Sequence, residues 1–192
     1  MTRKRKSKAD PVAERPAPSA RVAEAIAAAR TNQDAHPVRP TMNCEYEGNA
    51  FSIRPAHNDP EGALAFVKDT FGTASGTYVT ALILQVVRAL GTNEAAQDQT
   101  MLNSALAFVG AVSPENEVES ALAMQMWTTH SLAMEMAGRI RGARHIPELQ
   151  AYGNLTTKLQ RTFTAQLEAL SKLRRGGEQV VRHIHVDNRG GQ

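Results

Sequence analysis

Two long amphipathic segments in the second half of the chain limit what it can fold into. Over residues 114–141 and 147–174, apolar side chains recur every three or four positions, which is the spacing of one helix face. A short basic turn joins the segments, so the pattern predicts an antiparallel helical hairpin. The first stripe comprises Val118, Leu122, Met126, Thr129, Ala133, Met136 and Ile140. The second comprises Leu155, Leu159, Phe163, Leu167 and Leu170.

The segments before this hairpin predict a small β-hairpin and three more helices. Gly48-Asn49 separates two short alternating runs within residues 42–54, a typical two-residue turn signal. Gly91 is predicted to end the second helix as a C′ glycine, and Ser113 to cap a helix that begins at Pro114. The three helices are expected at residues 60–71, 75–90 and 92–112.

The two ends of the chain differ from its middle. Residues 1–41 are rich in Lys, Arg, Pro and Ala and predict a disordered basic arm, in which residues 20–30 form a helix transiently or on binding. Residues 179–186 are β-branched and alternating, so they predict one short strand. The expected fold is therefore mainly α, a bundle of about five helices with the long hairpin. The domains are the arm (1–41), a helical domain with its β-hairpin (42–175), and a strand with a flexible tail (176–192).

Charge is unevenly distributed along the chain. Residues 1–40 hold nine basic and four acidic side chains, a net +5, whereas the whole chain is +3. A basic arm on a near-neutral body favours contact with phosphate or an acidic partner, and the alternative is a solvated tail. The candidate contacts for nucleic acid or an acidic partner are Arg3, Lys4, Arg5, Lys6, Lys8, Lys172, Arg174 and Arg175.

Methionine is frequent in the first long helix and suggests a second candidate surface. Its flexible side chain suits helix-binding grooves, although it also fills cores. The predicted partner-helix surface consists of Met124, Met126, Trp127, Met134 and Met136. We expect self-association through this surface, unless the other helices of the same chain cover it.

The chain shows little that indicates catalysis. Its single cysteine, Cys44, allows no disulfide within one chain, and no glycine-rich phosphate motif or zinc-ligand spacing occurs. We therefore expect no enzyme and no cofactor or metal. The alternative is a metal site on His183 and His185, which share one face of the predicted strand and would need a third ligand. The apolar run at residues 79–90 is too short to span a bilayer, so no membrane contact and a cytoplasmic location are expected.

Four runs in the second half of the chain have a specific order. They are Met101-Leu102-Asn103 through residues 118–126, residues 161–170, residues 176–180 through 183–186, and Gly190-Gly191-Gln192. With these runs, about residues 55–192 resemble a family of uncharacterised alphaproteobacterial proteins. The resemblance implies no established activity.

Taken together, these patterns predict a non-enzymatic binding or assembly protein. It would form a helical homo-oligomer and use its basic arm on nucleic acid or an acidic partner. The alternative is a DNA-binding accessory protein of a phage or other mobile element, such as a small packaging or regulatory subunit.

Overall fold

The computed structural model describes residues 17–48 and 50–176. It confirms a mainly helical fold with a two-stranded antiparallel β-hairpin before the long helices. The predicted strand at residues 179–186, with His183 and His185, lies outside the described residues. The elements are α1 (Ala20–Asp34), β1 (Met42–Glu47), β2 (Ala50–Pro55), α2 (Pro60–Thr70), α3 (Gly76–Leu90), α4 (Ala95–Val112), α5 (Glu117–Gly142) and α6 (Ile146–Arg174).

Helix α1 lies within the predicted basic arm and extends the helix expected at residues 20–30. The alanine-rich sequence has high helix propensity, and a regular helix forms over Ala20–Asp34. None of its side chains is buried, because Val22 and Ile26 alone are too thin an apolar stripe. The helix belongs to a unit that ends at Val38, and a second unit begins at Arg39.

The β-hairpin pairs Met42 with Pro55 at its open end and Glu47 with Ala50 at its turn. Gly48 adopts φ +62°, a left-handed conformation that glycine reaches without strain. Because side chains alternate along a strand, Met42 and Cys44 are buried while their neighbours on β1 are exposed. The hairpin thus presents one apolar face to the helices.

The predicted start of the first long helix is wrong. Ser113 does not cap α5; it adopts φ +50° and ends α4, its hydroxyl donating to the Gly110 carbonyl. The cap of α5 is Asn116, whose Oδ1 accepts from the backbone N–H of Val118 and Glu119 at 3.0 Å each. The close spacing of Ser, Pro and Asn offered two competing caps, and the αL stop at Ser113 requires the later one.

Gly91 ends α3 as predicted, but for a different reason. Its φ of −64° is available to any residue, so no left-handed C′ position exists there. A Cβ at this position would lie 2.3 Å from the Val87 carbonyl oxygen. Glycine is therefore needed for close approach of the chain to its own last helical turn.

The core is organised around α4. Its stripe of Leu102, Leu106 and Val109 is fully buried. The β-hairpin, α2, α3 and α5 pack around it, and all contribute to one apolar cluster. The other large members of this cluster are Phe71, Val67, Val79, Ile83, Val86, Met124 and Trp127.

Helices α5 and α6 form the predicted antiparallel hairpin. Arg174 near the end of α6 contacts Glu119 near the start of α5, and the rings of His130 and Phe163 are 5.9 Å apart midway. The two helices therefore stay together along their length. They begin three residues later and one residue earlier, respectively, than the sequence pattern predicts.

Candidate functional site

The surface of α6 is the most unusual feature of the described structure. Among the described elements, α6 packs extensively on α5 alone. Only Thr156 and Leu170 of its 29 residues are buried. The inward positions follow spacings of four and three, as in a helix-pair seam. They are Tyr152, Thr156, Leu159, Phe163, Gln166 and Leu170.

This seam corrects the stripe predicted for α6. Leu155 and Leu167, which the pattern places in the stripe, remain 43% and 45% exposed. Thr156 and Gln166 occupy the corresponding inward positions. We call the exposed leucines that flank the seam the α6 flank. Leu149 and Leu167 lie on one side of the seam and Leu155 and Leu173 on the other, and each is 43–47% exposed. On α5, Val118 likewise faces solvent, and buried Glu119 stands in its place.

The predicted methionine surface is largely internal. Met124, Met126 and Trp127 are buried by helices of the same chain, which is the alternative that the sequence left open for this surface. Met134 is exposed and Met136 is half-buried. The apolar arc of α5 is wide because α5 packs on two sides, and both sides are covered.

Arg174 is also occupied within the chain. Its guanidinium bonds the Glu119 carboxylate at 2.9 Å and donates to the Val112 and Ser113 carbonyl oxygens. The hydrogen bond from Arg174 lowers the pKa of Glu119 below its ordinary value, against the effect of burial. Arg174 therefore joins the end of α6 to the α4–α5 link and is removed from the predicted contact residues.

The other predicted basic contacts remain candidates. Lys172 and Arg175 are exposed, whereas the arm residues Arg3 to Lys8 lie outside the described residues. Residues 117–175 hold eight basic and five acidic side chains, a net +3. Residues 41–116 hold three basic and eight acidic ones, a net −5. Positive charge is thus concentrated on the helical hairpin.

Side chains of α4 form a second notable arrangement, along the outer edge of β1. The Asn103 amide accepts from the Met42 N–H at 2.8 Å and donates to the Met42 carbonyl at 2.9 Å. Gln99 accepts from the Cys44 N–H at 3.1 Å. These two side chains take the place of a neighbouring strand. With Asp98 they form what we call the β1 clamp.

Asp98 is fully buried, and its charge is held by hydrogen bonds. It accepts from the Tyr46 hydroxyl at 2.6 Å and from the N–H and hydroxyl of Thr92 at 2.7 and 3.0 Å. Burial opposes ionisation, but these donors together lower the pKa of Asp98. The same hydrogen bond raises the pKa of Tyr46 to about 12, and burial raises that of the Cys44 thiol. The Asp98 carboxylate and the Asn103 amide thus have structural partners, and burial keeps the Cys44 thiol from the thiolate form.

Neither metal ligation nor membrane insertion finds support in the described residues. Within residues 17–48 and 50–176, no three His, Cys, Asp or Glu side chains lie close enough to hold a metal ion. No helix in the same ranges is both long and apolar enough to cross a bilayer. The proposed pair His183 and His185 lies beyond these ranges.

Comparisons of the chain with models of protein families, with curated proteins and with solved structures found no match. The function therefore has to come from the surfaces and contacts described above. Sequence reasoning missed the α6 flank because an amphipathic stripe predicts that each of its leucines faces inward. It missed the β1 clamp because polar helix residues carry no sign of their partner.

Proposed function

We propose that the protein is a non-enzymatic assembly protein that self-associates through the α6 flank. The single observation that carries this proposal is the exposure of four leucines on a helix that, among the described elements, packs on α5 alone. A second hairpin packed on one side of the seam would complete a four-helix bundle, the common way for paired amphipathic helices to bury their remaining apolar area.

The chemistry of the flank suits a second copy of the chain. A twofold axis on one side of the seam would bring the same two leucines together from both copies, since such an interface is self-complementary. Covering the exposed half of each leucine is worth about 1 kcal/mol, so the four leucines of this interface give about 4 kcal/mol. That gain is comparable to the lower part of the 4–15 kcal/mol cost of association. We therefore expect a dimer that dissociates on dilution.

Sedimentation velocity on a matched pair of variants tests this proposal. Leu155→Glu with Leu167→Glu places two charges in the flank, and we expect the monomer at every concentration. Thr157→Glu with Thr164→Glu adds the same charge on the opposite, exposed face of α6. We expect this control to associate like the unaltered chain. Circular dichroism should show equal helix content in all three proteins, and unchanged association of the leucine variant would refute the proposal.

A nucleic-acid role is the second candidate, favoured by the segregation of charge. The helical hairpin has a net charge of +3 and the arm a net charge of +5, so the chain offers two cationic surfaces for a polyanion. The mechanism would be phosphate neutralisation without base readout, as in a DNA-binding accessory subunit. A salt titration of binding to duplex DNA tests it, with Lys172→Gln and Arg175→Gln expected to reduce the salt slope by about 2. No binding at low salt would eliminate this candidate.

A further inference from the structure

The two edges of the β-hairpin differ in whether their outward backbone groups have hydrogen-bond partners. Side chains of the β1 clamp accept hydrogen bonds from the N–H groups of Met42 and Cys44. The backbone groups of these two residues therefore point away from β2. In an antiparallel pair, residues opposite one another point their backbone groups in opposite directions. Met42 pairs with Pro55 and Cys44 with Ile53, so Phe51, Ile53 and Pro55 direct their backbone groups away from β1.

The outer edge of β2 is open within the described part of the chain. No hydrogen bond from residues 17–48 or 50–176 reaches the backbone N–H or carbonyl of Phe51 or Ile53. Pro55 has no N–H to offer, which is typical of an edge strand. Two donors and three acceptors therefore remain for one added strand of up to six residues.

An apolar cleft lies beside this open edge. It has a volume of 330 Å³ and is bounded by the inward side chains of β2 together with α2 and α3. A second groove continues from it and shares Leu64, Thr80 and Leu84. The residues that matter most for its apolar character are Phe51, Ile53, Ala63, Val67, Val79 and Ile83. An open edge beside an apolar cleft is the arrangement that binds an extended peptide by strand addition.

We propose that this edge and cleft are a binding site for an extended β-branched segment, and that residues 180–186 of the same chain occupy it. Main-chain hydrogen bonds to Phe51 and Ile53 would hold the segment. Alternate apolar side chains would enter the cleft.

The place where α6 ends supports this occupant. Arg174 contacts Glu119, and the chain turns at Gly176 with φ +63°. Close by, the Tyr78 hydroxyl donates to the Glu117 carbonyl at 2.6 Å, and Tyr78 directly precedes the cleft residue Val79. The helix therefore ends on the side of the molecule where the cleft meets α3. Residues 176–179 can span about 14 Å when extended, and they would have to make the connection.

The sequence of the segment matches the site. Alternation places Val180, Ile184 and Val186 on one face, which would fill the cleft, with the aliphatic part of Arg182 beside them. His183 lies on the other face and would point to solvent. The segment is rich in β-branched residues, as strands buried in a sheet are. An apolar cleft would therefore suit it better than water.

Residue-resolved amide hydrogen exchange on the full chain tests this proposal. The amides of Phe51 and Ile53 should be protected at least tenfold relative to a free edge. Ile184→Asp, which puts a carboxylate into the cleft, should remove that protection. His183→Asp makes the same change on the solvent face and should leave it intact. The amides of Met42 and Cys44, held by the β1 clamp, are the internal reference and should be unchanged in both variants.

Three results would overturn the proposal. One is fast exchange of Phe51 and Ile53 in the unaltered chain, which would show an empty edge. Another is equal protection in both variants, which would show that residue 184 is not in the cleft. The third is protection that vanishes on dilution, which would make a second copy the occupant. The site is separate from the α6 flank, so the monomeric Leu155→Glu, Leu167→Glu variant should retain the protection.

Discussion

Helices α5 and α6 have similar lengths and similar apolar spacing, but they occupy very different environments. Eight side chains of α5 are buried, against two of α6. Within residues 17–48 and 50–176, the difference arises because α3 and α4 cover one side of α5 and α6 covers another, whereas α6 packs on α5 alone. An amphipathic stripe therefore indicates which face of a helix needs a partner. It does not indicate whether one chain supplies enough of them.

The largest expected difference between the two helices concerns side-chain truncation. Met126→Ala in α5 should lower the free energy of unfolding by about 3 kcal/mol, since Met126 is 1% exposed and leaves a cavity. Leu167→Ala in α6 should cost less than about 1 kcal/mol in dilute protein, because nearly half of that side chain is already in water. Urea denaturation at low protein concentration measures both. Equal losses of unfolding free energy in the two variants would contradict the difference in burial between α5 and α6.

The ion pair that joins the two helices should give a smaller, pH-dependent effect. Glu119→Gln should cost about 2 kcal/mol at pH 7, because the carboxylate of Glu119 is nearly buried and holds Arg174. The folded-state pKa of Glu119 is lowered, so its stabilisation is present above the ordinary value of about 4.3 and disappears as the pH falls through the folded value. The two proteins should therefore converge in stability at pH values below the folded-state pKa of Glu119.

The exposed pair Arg139–Glu135 provides the control for this prediction. Its atoms are 2.6 Å apart, but both side chains are about half exposed. Glu135→Gln should change stability by less than about 0.5 kcal/mol. A larger effect at residue 135 than at residue 119 would contradict the proposed role of the buried pair.

The smallest expected effect has the opposite sign. Gln166 of α6 places its Oε1 in a buried position with no hydrogen-bond partner among the described residues. Gln166→Leu should raise the free energy of unfolding by about 1 kcal/mol, because it removes this unsatisfied acceptor and keeps the volume. Thermal denaturation of the monomeric variant measures it. A loss of stability would show that the amide makes contacts that the seam does not reveal.

The sequence predicted the order and type of the described elements well. The turn at Gly48, the long hairpin and the α4 stripe of Leu102, Leu106 and Val109 follow from spacing and turn residues alone. The sequence pattern placed the start of α5 at Pro114, because Ser113 and Asn116 are both good caps and the pattern favoured the earlier one. Which of them is used depends on the αL backbone of Ser113, and no local propensity decides that.

The candidate surfaces were predicted less well, for a physical reason. Leucine and methionine side chains on the same helix are similarly apolar. The sequence pattern therefore predicted that Leu167 faces inward and that Met126 faces a partner helix. Their exposure depends on how many helices meet at each position, which is a property of the tertiary fold. Arg174 looked like a free cation for the same reason, since Glu119 lies 55 residues away.

Hydroxyl-radical footprinting of the full chain at two concentrations tests the central claim most directly. If a second copy covers one side of the α6 flank, oxidation of either Leu155 or Leu167 should fall several-fold in concentrated protein and recover on dilution. Val118, 65% exposed on α5, and Leu102, fully buried, should keep their high and low rates throughout. Leu155 and Leu167 that oxidise equally fast at both concentrations would contradict the claim.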